Sequence, residues 1–361
     1  MQSSFIPNPT LRGADPVDVL RLIRSEQVGP MTFFQLLKFC GSVKKALEMA
    51  PALSQRGGRK KPIVLSSRAA AEREYEALTK YGAKLVMYGE ETYPRLLQFI
   101  GDAPPILTVR GHTHLLQEKN LIGMVGARNA SANGCAFARK LASDLGAGKF
   151  TVVSGLARGI DNIYPAENAA LYEEIAATGC IVSELPFGMA PHAKSFPARN
   201  RIIAGMSRGV AVIEASLKSG SLITADYAND YGRDVYAVPG SPMDPRCTGT
   251  NSLLKQGATL LESARDILSS LSPMGDLPLA EADAPQFAEA TLPGISEDML
   301  AEAREAVLAA LSYSPTLLDD VLTASGTTPH LLMAVLLELE LADRLERHPG
   351  ARVSLRTGEL V

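Results

Sequence analysis

The chain has 361 residues, a formal net charge of −3 and 46% hydrophobic residues, a length that suggests two or three domains with sizeable cores. The mild acidity excludes a globally basic nucleic-acid coat and leaves a local basic patch open. No apolar run approaches the roughly 18–20 residues of a membrane span, and the opening MQSSFIPNPTLRGADP lacks the basic-then-apolar layout of a signal peptide.

Residues 1–100 read as mainly helical, with a first domain at 1–85. In "DPVDVLRLIRSEQVGPMTFFQLLKFCGSVKKALEMAP" apolar residues recur every three or four positions, and turns fall at Val28-Gly29-Pro30 and Cys40-Gly41-Ser42. A Gly-Pro turn between helices is the pattern of SAM/helix-hairpin-helix-like modules, whose turn amides meet a phosphate. A plain antiparallel helix pair has the same pattern. A basic connector (55–62), a charged helix near 66–81 and a short strand "AKLVMYG" follow.

Residues 86–270 form an α/β body. Short apolar segments at 121–126, 150–154, 180–183, 209–214, 234–238 and 258–261 alternate with helical stretches near 133–146, 166–177, 197–207 and 221–232. Strands apolar throughout predict a parallel sheet covered on both faces, with ligands at the carboxyl ends of the strands. Residues 271–295 are rich in Pro, Ala and acids without a period, and read as a linker. Residues 296–361 have the outline of a winged helix, with helices at 297–311, 315–324 and 328–341 before a short hairpin. Its presumed reading helix, "TPHLLMAVLLELELA", carries no Arg or Lys, so contact with protein and contact with DNA both stay open.

Four loops fall where strands end, and each offers anion donors. "GARNAS" holds Gly126, Arg128, Asn129 and Ser131. "SGLARGID" holds Ser154, Gly155, Arg158 and Gly159. "AKSFPARNRIIAG" holds Lys194, Phe196, Arg199, Asn200 and Arg201. "ASLKSGSLITA" holds Lys218, Ser219, Gly220, Ser221 and Thr224. Small residues admit backbone N–H groups close to an oxygen, and the last loop leads into a helix whose first amides carry partial positive charge. Arginines add forked charged donors, and Phe196 among them suits a base-stacking platform. Singly, Arg158 could be a solvated arginine, Phe196 a core residue and Asn200 a helix cap.

Other chemistries fail on spacing. "GMVGARNAS" has no third glycine for a dinucleotide loop, and no GxxxxGK[ST] marks an ATP site. His192, in a Pro-flanked loop, has no serine partner in evident reach, so no catalytic pair is expected. Five histidines without HExxH spacing argue against a metal, and no cofactor is expected. Cysteines 40, 135, 180 and 247 lack CxxC spacing and read as reduced thiols in a cytoplasmic protein.

"YPRLLQFIGDAPPILTVRG", "VGARNAS", "VVSGLARGID", "YPAEN", "FPARNRIIAGMSRGVAVIEASLKSGSLITA" and "VYAVPGSPMDPRCTGTNSLLKQGA" together closely resemble the DprA/Smf family of DNA-processing proteins, over residues 93 to about 267. The terminal modules fit that family's usual extensions. The resemblance implies an extended Rossmann-like body that binds single-stranded DNA, forms a homodimer, stays off the membrane and delivers incoming strands to the RecA recombinase in natural transformation. It implies no enzymatic activity. Arg128, Lys194 and Phe196 become the main strand contacts, with Gly155, Arg158, Arg199, Asn200, Ser219, Gly220 and Ser221 completing the pocket. One departure stands out. In the family "SGLARGID" continues into a helix and another strand before "YPxEN", whereas here Asp161 is followed directly by Asn162. About twenty residues are absent by comparison, and losing a helix and a central strand would exceed a stability margin of ~5–15 kcal/mol. The expectation is that the string omits them. The alternative function is a nucleotide-monophosphate phosphoribohydrolase on a related sheet. It needs a Pro-Gly-Gly loop and a following Glu, where this chain has "ASLKSGSLITA" and Asp226 as the nearest acid.

Overall fold

A computed structural model of the chain describes residues 8–155, 169–189, 195–271, 297–348 and 350–356. The Asp161–Asn162 junction lies outside the described residues, as do Arg158, Gly159 and Lys194.

In chain order, four helices come first: α1 (Pro16–Ile23), α2 (Pro30–Cys40), α3 (Val43–Arg56) and α4 (Arg68–Lys80). The body contains β1 (Ala83–Met87), β2 (Ile106–Gly111), β3 (Leu121–Val125), α5 (Ala132–Ala147), β4 (Thr151–Ser154), α6 (Ala169–Thr178), β5 (Cys180–Ser183), α7 (Ser195–Met206), β6 (Gly209–Val212), α8 (Gly220–Asp230), β7 (Asp234–Ala237), α9 (Thr248–Lys255), β8 (Thr259–Leu260) and α10 (Ala264–Leu271). The C-terminal elements are α11 (Glu297–Ala310), β9 (Thr316–Leu317), α12 (Leu318–Ser325), α13 (Pro329–Leu341), β10 (Leu345–His348) and β11 (Arg352–Leu355). These elements gather into two compact units, one within residues 78–271 and one joining 8–77 to 297–356.

The first unit is α/β. Five strands run parallel in the order β4-β3-β6-β7-β8. Alternate residues of these strands point to opposite faces. Ile122, Met124, Ala211, Ile213 and Tyr236 pack with Leu141 and Leu145 of α5 and Ile267 and Leu271 of α10. Val210, Val212, Val235 and Ala237 pack on the other face with Ala204 of α7, Ala225 and Ala228 of α8 and Leu253 of α9. Covering both faces explains why the strands read as unbroken apolar runs, each buried Val or Ile contributing about 1.5–3 kcal/mol.

The expected place of 180–183 in the parallel sheet is corrected. β5 instead pairs antiparallel with β2, Val182 opposite Val109, in a second sheet ordered β1-β2-β5. Ile181 closes over the buried ring of Tyr172 and over Tyr81 and Phe187. A four-residue apolar strand carries no signal for which sheet edge it will join, and tertiary packing decides.

The second unit brings the chain's two ends together. α1 and α2 start at prolines, and Asp15 caps α1 by accepting from Val17 N–H. Gly41, left-handed at φ 78°, ends α2, and Ser42 caps α3 by accepting from Lys45 N–H. α11, α12 and α13, with β9 added to the β10–β11 hairpin, form the expected winged helix. α13 has apolar residues buried on nearly every side, Leu331 to Leu341, and a helix apolar all round must be covered all round. Leu331, Leu332, Ala334, Val335, Leu336 and Leu339 enter the winged-helix core, and the helix packs on α2 and α3 as well. Thr32 Oγ1 donates to Glu340 Oε1 at 2.9 Å, and Arg344 Nη1 donates to Gly57 O at 3.1 Å. Nearly every side of this helix is thus covered within the chain.

That packing leaves no room for a side chain at position 57. A Cβ on Gly57 would lie 1.9 Å from Glu338 O and 2.8 Å from the Ala342 Cβ. Gly57→Val should therefore lower stability by ~1–3 kcal/mol, the usual cost of overpacking, in a thermal melt. Gly146→Ala, in α5 with nothing within 4 Å of the added Cβ, should stabilise by about 0.5–1 kcal/mol. Equal behaviour of the two variants would refute the close contact.

Candidate nucleic-acid interface

Three strand exits lie on one rim because their register is parallel. Met124 of β3 stands beside Ser154 of β4, and Val125 beside Val212 of β6. Gly126–Ser131, Ser154–Gly155 and the loop ahead of α8 therefore leave the sheet together. The first two turns of α7 close over them, and Asn200 Nδ2 donates to Gly220 O at 3.1 Å. Between these elements is a cavity of about 500 Å³, lined by Met124, Val125, Gly126, Arg128, Ser154, Gly155, Phe196, Arg199, Asn200, Ile203, Ser219, Gly220, Ser221 and Thr224.

Most of the expected site residues meet here, on the strand-end loops and on α7 and α8. Ser219 caps α8 by accepting from Ser221 N–H, and Ser221 Oγ donates to Gly126 O at 2.8 Å. The helix start and the first loop are thereby tied to each other. Thr224 is 1% exposed and its Oγ1 has no partner among the described residues, which leaves a polar group at the cavity wall. Burying a hydroxyl unpaired is costly, so the site suits a ligand with polar atoms.

Two arginines meet across one ring. The Arg128 guanidinium carbon lies 4.7 Å from the Phe196 centroid and that of Arg199 lies 5.7 Å from it. Burial first, and then the charge of Arg128, hold Arg199 below the ordinary arginine value. Two like charges drawn this close in a half-buried pocket attract an anion that lies between them. Gly155 makes the arrangement possible, because a Cβ there would fall 2.6 Å from Arg199 Nη2.

Arg201 does not join the rim. Its side chain is 6% exposed, paired with Glu184 and, at 3.4 Å, with Asp102, whose other oxygen accepts from Tyr231. Two residues past Arg199 on a helix is about 200° around the axis, so the two arginines face opposite ways. Its role as a strand contact is corrected to that of a buried ion pair. Sequence reading also passed over Glu214, the acid in "VIEAS". It follows β6, is 7% exposed, and accepts from Ser131 N and Oγ at 2.8 and 2.5 Å. A single glutamate at a strand end carries no pattern that marks it.

The geometry defines a class: a Rossmann-like parallel-sheet protein with an arginine- and serine-lined cavity at its strand ends, carrying a helical and winged-helix unit. Comparison with known proteins names the family. The family model described as DNA recombination-mediator protein A matches residues 84–163 and 160–272, two stretches that meet where the sequence runs short. The DprA-like N-terminal HHH domain matches 13–77 and the DprA winged helix domain matches 291–351. Protein Smf of Synechocystis sp. is 35% identical over 310 residues, 73% of this chain and 78% of that protein. DNA processing protein DprA of Bacillus subtilis is 37% identical over 218 residues, 54% of this chain and 73% of that protein. The X-ray structure of DNA processing protein A from Streptococcus pneumoniae aligns with a TM-score of 0.57 at 29% identity, covering 70% of this chain and 95% of that one. The chain belongs to the DprA/Smf family of DNA-processing proteins.

Because the atoms nearest a Cβ at 155 are the far end of a long side chain, Gly155→Ala should cost little stability, within about 0.5 kcal/mol. It should displace the Arg199 guanidinium and weaken retention of a labelled oligonucleotide several-fold. Unchanged retention would remove Arg199 from the site.

Proposed function

We propose that the chain binds single-stranded DNA without sequence preference and without catalysis, and hands the strand to the RecA recombinase as a homodimer in natural transformation. The observation that carries this reading is the pair of guanidiniums on the Phe196 ring beside a cavity rimmed by glycine and serine. Phosphates suit the cations and the helix start, and a base suits the aromatic ring. Membership of a family of DNA-processing proteins supports it. Arg158, Gly159 and Lys194 belong to the proposal through the resemblance. The phosphoribohydrolase alternative requires an acid at the reacting centre. Among the described residues no Asp or Glu lines the cavity, Glu214 is engaged with Ser131, and Asp226 lines a separate cavity beyond Ser219. The dimer reading has support in β8, an edge strand of the parallel sheet, where Leu260 is 46% exposed.

Arg128→Ala should weaken binding to oligonucleotides of every sequence alike, as read by an electrophoretic shift with single- and double-stranded probes. With ~3–4 phosphates neutralised per subunit, the log–log salt slope should be about −2 to −3 and become shallower by about 0.7 in the variant. A salt-independent affinity, or release of free base from a nucleotide by pure protein, would overturn the reading. Sedimentation of the full chain tests the dimer. The lag of RecA assembly on single strands, with and without the protein, tests the hand-over.

A further inference from the structure

The loop that carries Arg128 is short and exposed, yet side chains from elsewhere hold both of its ends. At its start Ser221 Oγ, from α8, donates to Gly126 O at 2.8 Å. At its end Glu214 accepts from Ser131 N at 2.8 Å and from Ser131 Oγ at 2.5 Å. Ser131 Oγ in turn accepts from Gly134 N at 2.9 Å and caps α5. A Cβ on residue 134 would lie 2.6 Å from Glu214 Cδ, so the glycine keeps open the space that the carboxylate fills.

This arrangement has a consequence for where a ligand goes. The first amides of α5 form a natural place for an anion, and the protein's own carboxylate takes it. A strand phosphate is left with Arg128, Arg199 and the start of α8. The carboxylate also removes freedom from residues 127–130, which binding would otherwise have to order.

We propose that Glu214 is a positioning residue for the strand site: by holding Ser131 it sets the loop so that the Arg128 guanidinium stands over Phe196. This inference rests on the strand-binding reading above. It predicts that Glu214 acts through Arg128 and not through the fold at large. Glutamine keeps the length of the side chain but has no charge and one acceptor oxygen in place of the two that take Ser131 N and Oγ.

The test measures affinity of the full chain for a fluorescein-labelled oligothymidylate, with thermal melts alongside. Glu214→Gln should weaken binding roughly ten-fold, as expected for a charge-assisted hydrogen bond. In an Arg128→Ala background the same change should weaken it less than about two-fold, the signature of coupled sites. Ser131→Ala should weaken binding and Ser131→Thr, which keeps the hydroxyl, should restore it. These serine variants serve if the glutamine variant does not fold. Equal losses from Glu214→Gln in both backgrounds, or none in the Arg128 wild-type background, overturn the inference alone. Equal affinity of Ser131→Ala and Ser131→Thr overturns it too. If Arg128→Ala binds as the unaltered chain does, the strand-binding reading itself fails.

Discussion

Val125 stands beside Val212 and Met124 beside Ser154, and this parallel register is the constraint from which the site follows. Parallel strands with helical crossovers send every exit to one edge. Loops far apart in sequence then share a rim. α7 completes the rim because Ala204, facing the sheet, lets the helix lie close, while Phe196, about two turns earlier, and Arg199, about one turn earlier, reach the cavity.

The second element is a conflict of charge. Arg128 and Arg199 flank a single ring, and burial with mutual repulsion holds the Arg199 value down. Such a pair is held together by its surroundings: Gly155 makes room, Asn200 accepts from Arg199 at 3.3 Å, and the first loop is tied to α8 by Ser221. Preorganisation of this kind lowers the cost of binding, since the donors are ordered before the ligand arrives.

The second unit shows a different economy. The N-terminal helices supply α2 and α3, the C-terminal module supplies α13, and each covers apolar surface of the other. Glu338, fully buried, is paired with Arg304 at 2.9 Å, and burial raises its pKa against that partner's pull. A buried pair of this kind fixes orientation more than it adds stability. Removing the C-terminal module would therefore strip α3 of its cover as well as deleting the wing.

By itself the sequence determined the kind of layers, the cavity's place at the carboxyl ends of the strands and most of the residues that line it. Apolar runs, glycine turns and capping serines are local signals, and they report local geometry. The tertiary structure alone decided that 180–183 joins the antiparallel sheet, that Arg201 turns away into Glu184 and Asp102 while Arg199 faces the cavity, that Glu214 accepts from Ser131 at the cap of α5, and that α13 is an internal partner of α3. Each of these depends on which surfaces far apart in the chain come to face one another, and helix phase and sheet-edge choice are settled only when those surfaces pack.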